Sequence, residues 1–223
     1  MGTRNTTLVQ SGGEYKIAQY CQWDGYPSGQ GMVALETLRT LDLADFKTKV
    51  DGLTVLSDKQ VEAMWKKAGA KNGMATLAVS EKFEKAHPHL HRNCGAKIIE
   101  MVASGQVTSV QLETKFPADS LFCEWAYVVD LDKGVFEVYE GFNQKVLLPD
   151  ERFYPLQMTE ESQEAQLEAA KKGDDFYYPV KLKCSWPLSA LPTNEEFIAK
   201  ADAEEEEVET EPSAPAIDPA FAD

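Results

Sequence analysis

Trp23, Asp24, Gly25, Tyr26, Gly29 and Gly31 fall within nine residues, where a run of strand character gives way to one of helical character. A carboxylate taken out of water between two aromatic rings can act as a base or anchor a cationic ligand. Glycine lets the backbone approach a partner closely or adopt positive φ, and a helix N-terminus offers unpaired N–H groups to an anion. The spacing matches no phosphate loop, hydrolase elbow or zinc signature. Asp24 equally fits a turn aspartate bonded to nearby backbone N–H groups, and the two rings fit core packing. These six residues are the candidate binding site.

All three histidines lie in His87-Pro88-His89-Leu90-His91. Alternate histidines on an extended segment could share a metal, but Pro88 and a helix beginning near Leu90 break that geometry, so no metal or other cofactor is expected. Glu124 and Asp130 lie on one predicted strand with parity opposite to Trp125, facing solvent or a second layer. No partner for Asp24 can be read from spacing.

The elements that must position these residues follow from periodicity. Thr6–Val9 and Tyr15–Gln22 read as strands joined at Ser11-Gly12-Gly13. Met32, Leu35 and Leu38, then Leu43, Phe46, Val50 and Leu53, recur at helical spacing. Ser57 with Gln60 is a capping-box pattern ahead of Val61, Met64, Trp65 and Ala68. A further helix is expected through Leu90, Cys94, Ile98, Met101 and Val102 to Gly105. The period then changes to two: Val107–Thr114 and Leu121–Asp130 read as strands, and Asp132-Lys133-Gly134 turns the second into Val135–Tyr139. Residues 160–172 form an exposed helical excursion, Tyr178 to Trp186 alternates as an edge strand, and Thr193 with Glu196 caps a last helix.

The chain has 223 residues, 43% of them hydrophobic, enough for one sizeable domain, taken as residues 1–203. Its net charge of −15 argues against nucleic acid as a partner. Residues 201–223 hold nine acidic side chains and no Lys or Arg, leaving 28 acids against 22 bases before them. From 204 to 223 that composition predicts a disordered acidic tail, whose end carries the apolar pair Ile217 and Phe221, with Phe221 the expected docking anchor. Cys21, Cys94, Cys123 and Cys184 are far apart in sequence and read as buried free thiols. With no membrane-length apolar run and no secretory pattern, a cytoplasmic protein without a membrane partner is expected.

Gly2-Thr3-Arg4-Asn5, the segment Ala18-Gln19-Tyr20-Cys21-Gln22-Trp23-Asp24-Gly25-Tyr26-Pro27-Ser28-Gly29-Gln30-Gly31, and Leu121-Phe122-Cys123-Glu124-Trp125-Ala126-Tyr127-Val128-Val129-Asp130-Leu131-Asp132 together resemble a family of uncharacterised fungal and phage-encoded proteins across residues 2–142. That resemblance implies a host-directed or accessory role and no particular chemistry. The element order, a hairpin beginning near Thr3 followed by helices and a second hairpin, is similar to the αββα sandwich of N-terminal-nucleophile hydrolases, in which Thr3 would be the nucleophile. The apolar tip within an acidic tail resembles the tails of single-stranded-DNA-binding proteins.

The expectation is therefore an α+β protein, with an antiparallel sheet or αββα-like stacked sheets covered by helices. Its function is expected to be non-catalytic binding of a small molecule or a protein at the Trp23–Gly31 turn. An amidohydrolase of the N-terminal-nucleophile type and a single-stranded-DNA-associated protein acting through its tail are the alternatives.

Overall fold

The computed structural model describes residues 2–203. The acidic segment from Glu204, with Phe221, lies outside the described residues. Gly12 and Gly13 take φ of 65° and 77°, the left-handed pair that a tight antiparallel turn demands, so β1 (Asn5–Ser11) folds back on β2 (Glu14–Cys21). A π-helical turn at Pro27–Gly31 leads into α1 (Met32–Thr40), and Asp42 then caps α2 (Leu43–Asp51) by accepting from the N–H groups of Ala44 and Asp45. A two-residue strand, β3 (Thr54–Val55), precedes α3 (Asp58–Ala68), whose capping box is Ser57 with Gln60. Then come α4 (Leu77–Ala86), α5 (Lys97–Ala103) and β4 (Ser109–Val110). The second hairpin is β5 (Trp125–Asp130) with β6 (Val135–Glu140). After α6 (Tyr154–Gln157) and α7 (Glu160–Lys172), the chain closes with β7 (Lys181–Pro187) and α8 (Asn194–Ala201), the last capped by Thr193 with Glu196.

The protein is α+β. One five-stranded sheet runs β2-β1-β5-β6-β7, antiparallel except where β1 and β5 lie parallel; β3 and β4 form a separate parallel pair. The purely antiparallel sheet expected from the sequence thus becomes a mixed one. Helices α1, α2, α5 and α8 cover one face, where Leu35, Phe46, Ile98 and Phe197 meet Val9, Tyr127, Val129 and Phe136. On the other face Leu8, Ala18, Ala126 and Val128 pack beneath Leu147, Phe153 and Val180. Every residue of β5 is buried because both faces are covered.

Several expected elements are shorter than their patterns suggested. The helix expected from Leu90 begins only at Lys97, because residues 91–96 turn and Gly95 takes φ 53°. Leu121–Asp130 becomes strand only at Trp125, since the N–H groups of Phe122 and Cys123 both turn back to the Asp119 carbonyl. Val107–Thr114 shrinks to β4. Helix α4, not foreseen, starts where the Thr76 hydroxyl accepts from Val79 N–H, and it buries only Phe83. As expected, α7 buries no residue, β7 is an edge strand, and all four cysteines are free and buried.

Candidate functional site

The carbonyls of the turn leaving β2 are all hydrogen-bonded from Trp23 to Tyr26, two of them from elsewhere in the protein and two within the turn. Trp23 O accepts from Asn5 Nδ2 at 3.5 Å and from Cys21 Sγ at 3.4 Å, and Asp24 O accepts from Gln30 N–H at 2.8 Å. Gly25 O accepts from the buried Tyr127 hydroxyl at 2.7 Å, while Gly25 N–H donates to Thr3 O at 3.0 Å. Tyr26 O receives Gly29 N–H at 2.9 Å, and the buried Gln30 side chain accepts from Ala96 N–H at 2.8 Å. Asp24 itself takes φ 56°, a left-handed conformation that Asp and Asn tolerate better than most residues.

This geometry reassigns the glycines. A Cβ on Gly25 would stand 2.7 Å from Thr3 O, one on Gly29 would run into the Asp24 carbonyl, and one on Gly31 would stand 2.7 Å from the Tyr127 ring. The space is filled by the protein's own atoms and is closed to a ligand. The N–H groups of Gly29, Gln30 and Gly31 are likewise bonded to Tyr26 O or Asp24 O, so this helix start offers them to no anion. Of the six expected residues, only Trp23, Asp24 and Tyr26 face outward, with Trp23 46% and Tyr26 56% exposed.

The strand register extends this patch. Cys21, Asn5, Trp125, Glu140 and Lys181 lie side by side across the five strands, so the segments just beyond them share one end of the sheet. Trp23 lies there against Gly2, the Arg4 guanidinium sits 4.5 Å over the Phe122 ring, and Phe142 N–H donates to Ser120 O at 2.8 Å. Phe122 is 45% and Phe142 53% exposed. Phe142, at φ 52°, occupies the left-handed region despite its bulk. Phe122 is expected within a strand and Phe142 in no element; the register places both at the same end of the sheet as Trp23. The adjoining cleft, of about 460 Å³, is lined by Phe142, Asn143 and Lys183 among others.

Other expected residues lie apart from this patch. Asp130 is fully buried and paired with Arg152, and Glu124 lies 3.6 Å from Arg4 Nε; both are partnered away from Asp24. The His87 and His89 rings meet edge-on at 6.3 Å between centroids, whereas His91 turns onto α4. Burial pushes the His89 imidazole below its usual value, with His87 adding to the effect. Among the described residues, no three His, Cys, Asp or Glu side chains gather as metal ligands. Thr3 is buried, and the second sheet has only two residues per strand, so the layers of a stacked sandwich are not those observed. Among the described residues, no helix is long and apolar enough to cross a membrane.

No protein-family model, curated protein or solved structure matches this chain.

Proposed function

We propose that the protein is a partner-binding module whose contact surface is this end of the sheet, with Trp23, Asp24 and Tyr26 at its centre. The observation that carries the reading is the pairing of two half-exposed rings with a turn whose carbonyls are bonded from Trp23 to Tyr26. Such a surface is ordered before a partner arrives, which removes much of the ordering cost of binding. Aromatic and arginine side chains dominate the energetics of protein interfaces, and Arg4, Phe122 and Phe142 lie at the same end of the sheet as the turn. Small-molecule sites are concave and bury most of their ligand, whereas Trp23 and Tyr26 stand half-exposed on a turn, which suits a polypeptide better than a small ligand. The exposed Asp24 carboxylate, on a turn that also exposes Trp23 and Tyr26, suits a Lys or Arg side chain, drawn by charge and by the faces of aromatic rings.

Selection of linear peptides on the full chain, with counter-selection on Trp23→Ala, tests this reading. The expected result is enrichment of segments carrying Lys or Arg beside an apolar residue, with binding weakened at least tenfold by Asp24→Asn, a change that keeps the left-handed backbone and removes the charge. Peptides that bind Trp23→Ala equally well would place the contact surface elsewhere.

A further inference from the structure

The loop after α4 reverses so that its last histidine meets the helix it left. His87 N–H closes α4 on Phe83 O at 2.7 Å, a 3₁₀ turn spans Pro88–Leu90, and Arg92 O accepts from Gln22 N–H at 2.9 Å, which anchors the loop to the end of β2. His91, its side chain only 7% exposed, is thereby set against the face of α4 that carries Ser80 and Glu84, one turn apart. Its Nε2 stands 3.3 Å from Ser80 Oγ, and its Nδ1 stands 3.4 Å from Glu84 Oε1. That Nδ1 is buried and makes no hydrogen bond, so Glu84 at 3.4 Å is an electrostatic neighbour that a small side-chain shift would bring into hydrogen-bond contact. A neutral imidazole carries one donor and one acceptor nitrogen, and a carboxylate beside Nδ1 selects the tautomer that leaves the Nε2 lone pair facing the serine. Ser80 is partly exposed, so an electrophile can reach it.

We propose that Ser80, His91 and Glu84 form a nucleophilic triad that accepts the acyl group of small carboxylic esters, an activity beyond partner binding and independent of the Trp23 turn. Ser80 Oγ forms a bond to the acyl carbon while its proton passes to His91 Nε2. The ester C–O bond breaks, and the leaving alcohol takes that proton. Water, deprotonated by the same nitrogen, then releases the carboxylic acid and restores the serine. Glu84 acts through His91 as a positioning residue.

The test is labelling of the full chain with a fluorophosphonate, in which Ser80 Oγ displaces fluoride from phosphorus and its proton goes to His91. The expected result is one adduct, mapped to Ser80 by peptide mass and lost in Ser80→Ala. His91→Gln should slow labelling roughly a hundredfold, the scale of general-base catalysis. Glu84→Gln, which keeps shape and loses charge, should slow labelling and alter its pH profile, a readout that a purely structural contact would leave unchanged. Absence of an adduct under excess probe, an adduct at another residue, or a rate insensitive to His91→Gln overturns the proposal. Should a variant fail to fold, the site of the adduct on the unaltered chain decides by itself.

Discussion

Asp130 Oδ2 lies 2.5 Å from Arg152 Nη2, with the carboxylate sealed from solvent and the guanidinium nearly so. The same guanidinium reaches Glu137 Oε2 at 2.7 Å and the Tyr139 hydroxyl at 3.2 Å through Nε, and Gln10 Oε1 through Nη1. Arg152 thus joins β1, β5 and β6 on the face opposite the main helices, at the end of the sheet away from Trp23. A planar fork with fixed donors suits this task in a way that a lysine would not.

Removing that fork strands two carboxylates in the interior. Arg152→Met should cost about 3–5 kcal/mol, the usual scale for orphaning a buried charge, read as a lower urea midpoint with unchanged slope. Adding Asp130→Asn and Glu137→Gln to that variant should recover part of the loss. A single variant as stable as the parent would show that water reaches these carboxylates.

The same pair sets a pH dependence. Burial alone would raise the Asp130 carboxyl, but hydrogen bonds from Arg152 and from the N–H groups of Lys133 and Asp132 outweigh it and hold the group below its ordinary value. A carboxyl depressed on folding adds stability that is fully present above its unfolded value, about 3.9, and is lost as pH falls through the folded one. Urea unfolding from pH 7 to pH 2.5 should therefore show stability falling below about pH 4, and Asp130→Asn should flatten part of that fall. An unchanged acid limb in the variant would assign it to other carboxylates.

Local chemistry was legible in the sequence where a motif acts on its neighbours. Gly12-Gly13 and the turn at Gly134 gave both hairpins, and Ser57 with Gln60 and Thr193 with Glu196 gave two helix starts. The pairing of Asn5 with Trp125 across a parallel register has no local signature, because the five helices between them set it. Arg152 offered none either: it sits in a turn, and its partners come from three strands. At the candidate site the sequence located the turn correctly but not the work of its glycines, since what fills the space beside Gly31 is Tyr127 from a distant strand. His91 was read with its neighbours in the run, whereas its contacts are on α4, one helix back.

Those glycines make a measurable contrast with the open side of the turn. A Cβ at Gly31 would meet the Tyr127 ring at 2.7 Å and Phe197 at 3.0 Å, and both rings are fully buried with nowhere to retreat. Gly31→Ala should cost about 1–3 kcal/mol as overpacking. Tyr26→Ala, on the exposed side, should cost under about 1 kcal/mol. Thermal unfolding of the two variants checks the contrast, and equal midpoints would mean that the turn is looser than its hydrogen bonds suggest.

The four thiols offer the last test, because burial makes each a poor nucleophile. Burial pushes the Cys94 thiol up to about 12, with Cys21 beside it adding to the effect, and pushes Cys184 up to about 11. Burial also raises Cys21, and it holds Cys123 well above its ordinary value. Since only the thiolate alkylates, the folded protein at pH 8 should take up almost no iodoacetamide, while the urea-unfolded chain should gain four adducts by intact mass. Cys184 and Cys21 are the two to watch, because they lie on β7 and β2, the edge strands of the sheet, each paired with a single strand. Selective modification of Cys184 in the folded protein would mean that β7 opens from β6 on the timescale of labelling, and Cys123, fully buried just before the central strand β5, should then stay protected.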